Sequence, residues 1–432
     1  AAAAAAAAAA SAVAAAAAAE GGGGYFGGGS AFVEIPGQYA PYSANQIDTK
    51  PAPELNAKLI RFESKVDVIR RTDGQQLVRR IGMVGSDGKI HRFLLQFAVS
   101  YLTRTDERTA QVHHLLDKLL RKGYLASQRN LSVQSTAVVP IAQRLRMTSD
   151  DLASCSLDEV YRLECHARGI SPDAPSSFCK DEVAKGMQQI NVGIETPTIG
   201  SSGTNVARRE KEESVKIEVY KKVCNMVKPN ILFRHVEVAL NGPEALFCFR
   251  KAFSGQLAVN SLLQYAFNVT ERTPSKFLFN LRNAQIIAAD FRLAYNNQGL
   301  LEGNKVPFRM TRNIETLLGP SMVEGSFIPA MVSVSSAASS MAQDIYSALC
   351  LLLRDDIMSW YTSKSVPRSD EKNQELERQL AERIVKNVSL VQSRLKDCAP
   401  NVTQTTTELI DSKVRNLLAT ATAPEVLWKA TP

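Results

Sequence analysis

The chain has 432 residues, a formal net charge of +8, 45% hydrophobic residues and 22% charged residues. That composition excludes bulk disorder and a disulfide-dense scaffold, and the length sets a prior of roughly two to three domains. Its seven Cys (155, 165, 179, 224, 248, 350 and 398) form no Cys-x-x-Cys pair and no zinc-like spacing with His, so reduced thiols are expected.

The first segment, 1–30, is a low-complexity leader. Of its first 20 residues 17 are Ala, and Gly-rich runs follow through Gly29. It lacks the basic start and Leu-rich centre of a targeting signal. Alanine is too weakly apolar for a membrane span, and no other stretch is expected to be long and apolar enough. The chain does not start with Met and is read as a piece of something longer.

Strand-like alternation then dominates from Lys58 to Phe97. Leu77, Val78, Ile81, Met83 and Val84 precede Ser86-Asp87-Gly88, and Ile90, Phe93 and Leu95 follow it. Asp-Gly between two such runs predicts a hairpin, because Gly supplies the positive φ that a tight turn needs. Val112, Leu115, Leu116, Leu119 and Leu120 fall on one face of a helix that Gly123 ends. A further strand is expected over Ala137–Ile141. Residues 61–150 hold 16 Lys/Arg against 8 Asp/Glu, so this stretch accounts for the whole net charge. A nucleic-acid face, an acidic protein partner or a solvated basic surface would each explain it. No basic-aromatic binding motif accompanies the charge, so direct nucleic-acid contact is the weaker reading.

From about Thr148 the pattern turns helical. Ser156-x-x-Glu159 predicts a capping box opening a helix that stops near Gly169. The polar, aperiodic stretch 186–214 reads as a disordered insert. Helical pattern resumes at Val215 and over Pro243–Phe267. Phe277, Phe279 and Leu281, then Ile286 and Ala288, predict a second hairpin turning at Arg282-Asn283-Ala284. Ile345, Leu349, Leu352, Leu353, Ile357 and Trp360 mark one late helix. Leu376, Leu380, Ile384, Val388, Val391 and Leu395 mark another, whose stripe is expected to be a packing face. The expected divisions are therefore a leader 1–30, a β-rich lobe 31–147, a helical lobe 148–363 with its insert, an amphipathic helix 364–399 and a terminal segment 400–432.

Common chemical motifs fail. Gly82 to Lys89 has the wrong glycine spacing for a phosphate loop, and Ile90 stands where Ser or Thr is required. His113-His114 on the leucine-rich helix reads as structural or surface. Neither HExxH nor GxSxG occurs.

Several segments together carry a resemblance. Gly85-Ser86-Asp87-Gly88-Lys89 followed by Phe93-Leu94-Leu95 resembles the GSDGK…FL hairpin of the phosphatidylinositol-3-kinase-related kinases. Thr105-Asp106-Glu107-Arg108 resembles their QDER helix start, and Val138-Val139-Pro140 the strand leading to their hinge. Lys305-Val306-Pro307-Phe308-Arg309-Met310-Thr311 is similar to their KVPFRLT segment, and the block from Thr405 to their FATC module. The resemblance covers roughly 32–432 and is nearest to the family's pseudokinase branch. It implies an α+β, two-lobe protein-kinase-like fold, with a small β-rich lobe, a larger helical lobe and C-terminal FATC helices.

Phosphoryl transfer needs a cation on the phosphates, a carboxylate for the nucleophile and oxygen ligands for magnesium. On the resemblance, Gln96 replaces the phosphate-contacting lysine of FLxK. The catalytic loop GDRHPSN falls on residues 270–276, so Glu271 replaces the catalytic Asp, Thr273 the His and Lys276 the metal-binding Asn. The DFG motif falls on Asp290, Phe291 and Arg292, with Arg292 in place of Gly. Asp290 is then expected to be a structural carboxylate salt-bridged to Lys276 or Arg292. No functional catalytic residue, metal or cofactor is expected. The resemblance implies a nuclear scaffold, partnered with subunits of histone acetyltransferase coactivator complexes such as SAGA and, through upstream regions, with transcription activators. An active Ser/Thr kinase using Glu271 as base and Asp290 on magnesium, and a nucleic-acid-binding module, stand as alternatives.

Overall fold

The computed structural model describes residues 33–37, 56–70, 77–97, 104–142, 145–192, 202–270, 272–288, 291–302, 306–340, 342–364, 370–399 and 407–428. The chain divides into two compact units, one of residues 1–113 and 135–154, the other of 114–134 and 155–432.

The first unit is a six-stranded antiparallel sheet of β1 (Leu59–Phe62), β2 (Asp67–Arg70), β3 (Leu77–Gly85), β4 (Ile90–Phe97), β5 (Val138–Ala142) and β6 (Leu145–Asp150). Its order is β1-β3-β4-β6-β5, and β2 also pairs with β3. The β3–β4 hairpin forms as its sequence predicts, with Gly88 at φ 74° and Gly85 N donating to Lys89 O at 2.9 Å. The turn also uses its own amides: Lys89 N donates to the Asp87 carboxylate at 3.1 Å, so no open phosphate cradle remains there. Because strand side chains alternate, Phe93 and Leu95 share a face and join Ile35, Met83 and Met147 in the core. The shift to helix comes later than the sequence suggests. β6 pairs with β4 through Asp150, and β7 (Ser154–Ser156) follows it.

Helix α1 (Thr105–Lys122) begins on Asp106 and Glu107 and ends on Arg121 and Lys122, matching the helix dipole. Its apolar face keeps Val112, Leu116, Leu119 and Leu120 buried. A short α2 (Tyr124–Gln128) follows Gly123. The expected boundary at 147 is not where the contacts divide. Leu116, Leu119 and Leu120 line one small apolar cavity with Val259, Leu263 and Val334, so residues 114–134 belong with the helical unit.

That unit holds α3 (Leu157–Arg168), α4 (Ala174–Val192), α5 (Ser202–Met226), α6 (Ile231–Ala239) and α7 (Pro243–Ala266). The capping box is present: Ser156 Oγ accepts from Glu159 N at 3.1 Å, and Glu159 Oε2 accepts from Ser156 N at 2.7 Å. Gly169 closes α3 at φ 66°. The expected disordered insert is corrected by α4 and α5, which run through 186–192 and from Ser202 past Ser214. The segment is polar because these helices are largely solvated and add salt links such as Arg208–Glu212 (3.0 Å), so no single apolar face marks them. Residues 193–201 lie outside the described residues.

α7 is buried along most of its second half, from Phe253 to Ala266. The second hairpin forms from β8 (Phe277–Asn280) and β9 (Ile286–Ala288), with Asn280 Oδ1 accepting from Arg282 N at 2.8 Å in the turn. α8 (Arg312–Met322), a wider turn over Val323–Phe327, and α9 (Ile328–Ser340) then run nearly continuously. Arg312–Ser340 is thus long and apolar enough to span a membrane, contrary to the sequence expectation. In the fold it is a core element, with Ile314, Leu317, Phe327 and Met331 fully buried and a kink at Gly319-Pro320. α10 (Tyr346–Lys364) and α11 (Asp370–Lys396) follow. Leu380, Val388, Val391 and Leu395 of α11 are buried, so that stripe is a packing face. α12 (Thr407–Thr422) and α13 (Pro424–Leu427) end the described chain. Arg415 of α12 makes a two-pronged ion pair with Glu324, both contacts at 2.6 Å, and Lys216 lies 5.0 Å over the Trp428 ring.

Candidate functional site

Gln96 sits near the end of β4, directly opposite Arg146 of β6 in the antiparallel register. Its side-chain oxygen accepts from Arg146 Nε at 2.9 Å and from Nη2 at 2.6 Å. Arg146 also forms an ion pair with Asp106 in the first turn of α1. A neutral amide therefore stands where the resemblance expects a lysine. The local positive charge has moved to the neighbouring strand, where an amide and a carboxylate hold it.

The 270–276 loop, which the resemblance aligns with the catalytic loop, lies between α7 and β8. Val269 bridges to Leu293, and Thr270 N donates to Arg292 O at 2.9 Å, so residues 270 and 292 are joined by backbone. Pro274–Lys276 form one 3₁₀ turn, with Lys276 N donating to Thr273 O at 3.1 Å. The Thr273 and Ser275 hydroxyls are 3.0 Å apart and hydrogen-bonded to each other. Thr273, Lys276 and Arg292 are thus gathered in one local arrangement. Glu271 and Asp290 lie outside the described residues, as does the expected pairing of Asp290 with Lys276 or Arg292.

Two arginines that motif reading passed over shape this region. Arg272 Nη2 donates to Val306 O at 2.7 Å, and Arg309 Nη1 donates to Arg272 O. Arg309 N donates to Gln264 Oε1 at 3.0 Å. Burial lowers both guanidinium pKa values to about 10, and Arg309 adds its repulsion at Arg272. The segment 306–310 is held from below by Val306, Phe308 and Met310, all buried. Beyond it, Arg312 caps the end of α5 through Cys224 O and Val227 O (3.1 Å), and Asn313 Oδ1 accepts from Ile231 N at 3.0 Å at the start of α6. A buried Asn387 on α11 does similar work, accepting from Leu301 N and donating to Gly299 O, both at 2.9 Å. The KVPFRMT-like sequence was the signal for this segment, but pairings 34 to 88 residues apart leave no local pattern.

Magnesium needs hard oxygen ligands, chiefly carboxylates. Among the described residues no group of three or more His, Cys, Asp or Glu is placed to hold a metal. The groups described at the loop are the Thr273 and Ser275 hydroxyls, hydrogen-bonded to each other, and the side chains of Arg272 and Arg309; the carboxylates of Glu271 and Asp290 lie outside the described residues. His113 does not join the site. Burial lowers its pKa to about 4, which makes it a neutral structural residue at ordinary pH.

An antiparallel β unit preceding a helical unit, the latter carrying the 270–276 loop and the β8–β9 hairpin, makes a kinase-type fold. Residues 95–362 match the family model for phosphatidylinositol 3- and 4-kinases, and the chain belongs to that family. The FAT and kinase domain of CtTel1 has a similar fold, with a TM-score of 0.63 at 20% identity over 91% of this chain and 24% of that one. In sequence the chain is similar to the SAGA complex/NuA4 acetyltransferase complex subunit TRA1 of Saccharomyces cerevisiae, at 25% identity over 83% of the chain. It is also similar to the human transformation/transcription domain-associated protein, at 26% identity over 93% of the chain. It spans 9% and 10% of the lengths of these two relatives.

Proposed function

We propose that this chain is a kinase-like module that has lost phosphotransfer and serves as a nuclear scaffold within a histone acetyltransferase coactivator assembly of the SAGA type. The observation that carries the loss of catalysis is the cation-rich loop. On the resemblance Lys276 stands at the metal-binding Asn position; Arg272 and Arg309 add charge to the same segment, and Thr273 is hydrogen-bonded to Ser275. Gln96 adds to this, because a neutral amide that accepts from Arg146 stands where the resemblance implies a phosphate-contacting lysine. Phosphoryl transfer depends on positioned metal and charge, so losing several parts together removes it. The assembly role is supported by the similarity to TRA1, a SAGA complex/NuA4 acetyltransferase complex subunit.

A radiolabelled phosphotransfer assay with Asp290→Ala as control tests the catalytic half. No signal above the control is expected, and signal above it restores the active Ser/Thr kinase with Glu271 as base. Affinity purification of the full-length protein tests the other half, and acetyltransferase subunits are expected to be recovered. Against the nucleic-acid module, Arg80, Arg92, Arg121 and Arg146 all have acidic partners, which leaves less free charge for phosphates. A binding constant that falls steeply with salt would revive it.

A further inference from the structure

We propose that Arg272 and Arg309 form a buried anion site that takes a tetrahedral oxyanion of the phosphate class. Each guanidinium spends one arm on a backbone carbonyl: Arg272 Nη2 on Val306 O, Arg309 Nη1 on Arg272 O. Arg272 Nη1 and Arg309 Nε are then left buried without a hydrogen-bond partner. Neither arginine makes an ion pair among the described residues. A buried donor on a charged group that lacks an acceptor loses its full hydration with nothing in return. Arginine cannot escape by deprotonating, and values lowered only to about 10 leave both groups charged at neutral pH. Two like charges held this close by backbone bonds call for a shared counter-ion.

The chemistry of the counter-ion follows from the donors. Guanidinium N–H groups match the oxygens of phosphate, and donors from two separate guanidinium groups suit an ion with several oxygens better than chloride. The backbone partners keep both arginines in place without the anion, so the site is preorganised. The inference stands whether or not the centre transfers phosphate, so its failure leaves the scaffold reading untouched.

The test is thermal unfolding of the full chain titrated with inorganic phosphate, against sodium chloride at matched ionic strength. A ligand that binds only the folded state raises Tm with a saturable dependence on concentration. Such a rise is expected with phosphate and not with chloride. Phosphoserine and metal-free ATP run in parallel arms; a response to any of the three supports the site, and their rank identifies the source of the phosphate. Arg309→Lys keeps the charge but loses the Nε donor, and is expected to weaken binding ~10-fold or more. Arg272→Gln gives a second route to the same loss. No rise, a rise that chloride matches, or a rise that both variants retain overturns the proposal. The wild-type titration decides on its own if neither variant folds.

Discussion

The small unit and the loop around residues 270–276 treat buried positive charge in different ways. In the small unit charge is paired: Arg80 meets Asp150 at 2.5 Å, Arg92 meets Glu63 at 3.5 Å, and Arg146 lies between Gln96 and Asp106. His113, on the helix that leaves this unit, sheds its charge instead, with its pKa lowered to about 4 by burial. At the loop Arg272 and Arg309 do neither, because they meet backbone carbonyls and cannot lose a proton at neutral pH. The sequence places the whole net +8 in residues 61–150, yet Arg272 and Arg309, each with a buried donor lacking a hydrogen-bond partner, lie outside that stretch. Net charge counts where cations fall along the chain, while stability depends on what each one touches.

The sharpest way to break this contrast is to ask what holds the loop region together. If apolar packing carries it, Phe308→Ala should cost about 3–5 kcal/mol, the usual range for emptying a fully buried aromatic site. Urea unfolding should show that loss in the midpoint. Arg309→Met should cost less, since it also removes a repulsion. A larger loss from the arginine would mean that its backbone bonds, and not Phe308, anchor the segment.

His113 gives the next largest effect. Its folded pKa of about 4 lies below the ordinary 6.5, so between these values the unfolded chain binds the extra proton. Stability is therefore complete above pH 6.5 and falls as pH drops toward 4, by about 3 kcal/mol over the whole span. His113→Gln should flatten this slope in urea midpoints measured across that window. A slope unchanged in the variant would show that other groups govern acid sensitivity.

These effects separate what was legible in the sequence from what was not. The β3–β4 hairpin, the capping box at Ser156, the second hairpin and the α11 stripe all rest on patterns within a few residues. Asp87-Gly88, Ser156-x-x-Glu159 and a 3.6-residue repeat each determine local geometry directly. The fate of 186–214 was not legible, because α4 and α5 are solvated helices and lack the apolar face that periodicity detects. At the site, the resemblance pointed to Gln96, Glu271, Thr273, Lys276, Asp290 and Arg292. It could not reveal that Gln96 receives Arg146, since the strands that pair them are 50 residues apart in sequence. Nor could it single out Arg272 and Arg309, whose significance lies in the partners they lack.

Gln96→Lys tests the paired side of the contrast. It removes the acceptor of two hydrogen bonds to Arg146 and puts a like charge against it. A loss of about 2 kcal/mol is expected, in keeping with charge-assisted hydrogen bonds. Gln96→Glu keeps the acceptor and should cost little. If lysine is tolerated as well as glutamate, Arg146 is held by Asp106 alone.

The smallest expected effect supplies a neutral yardstick. Ser156 is buried and caps α3 without any formal charge, and its amide is held in turn by Glu159. Ser156→Ala leaves Glu159 N without its acceptor and should cost about 1 kcal/mol, whereas Ser156→Asp keeps an oxygen in reach and should cost less. Both are read as shifts of the urea midpoint at constant m-value. The comparison of regions requires Ser156→Ala to cost less than Gln96→Lys. Should the cap prove the costlier loss, the ordinary hydrogen bonding of backbone donors, and not the pairing of cations, would be the stronger constraint on this fold.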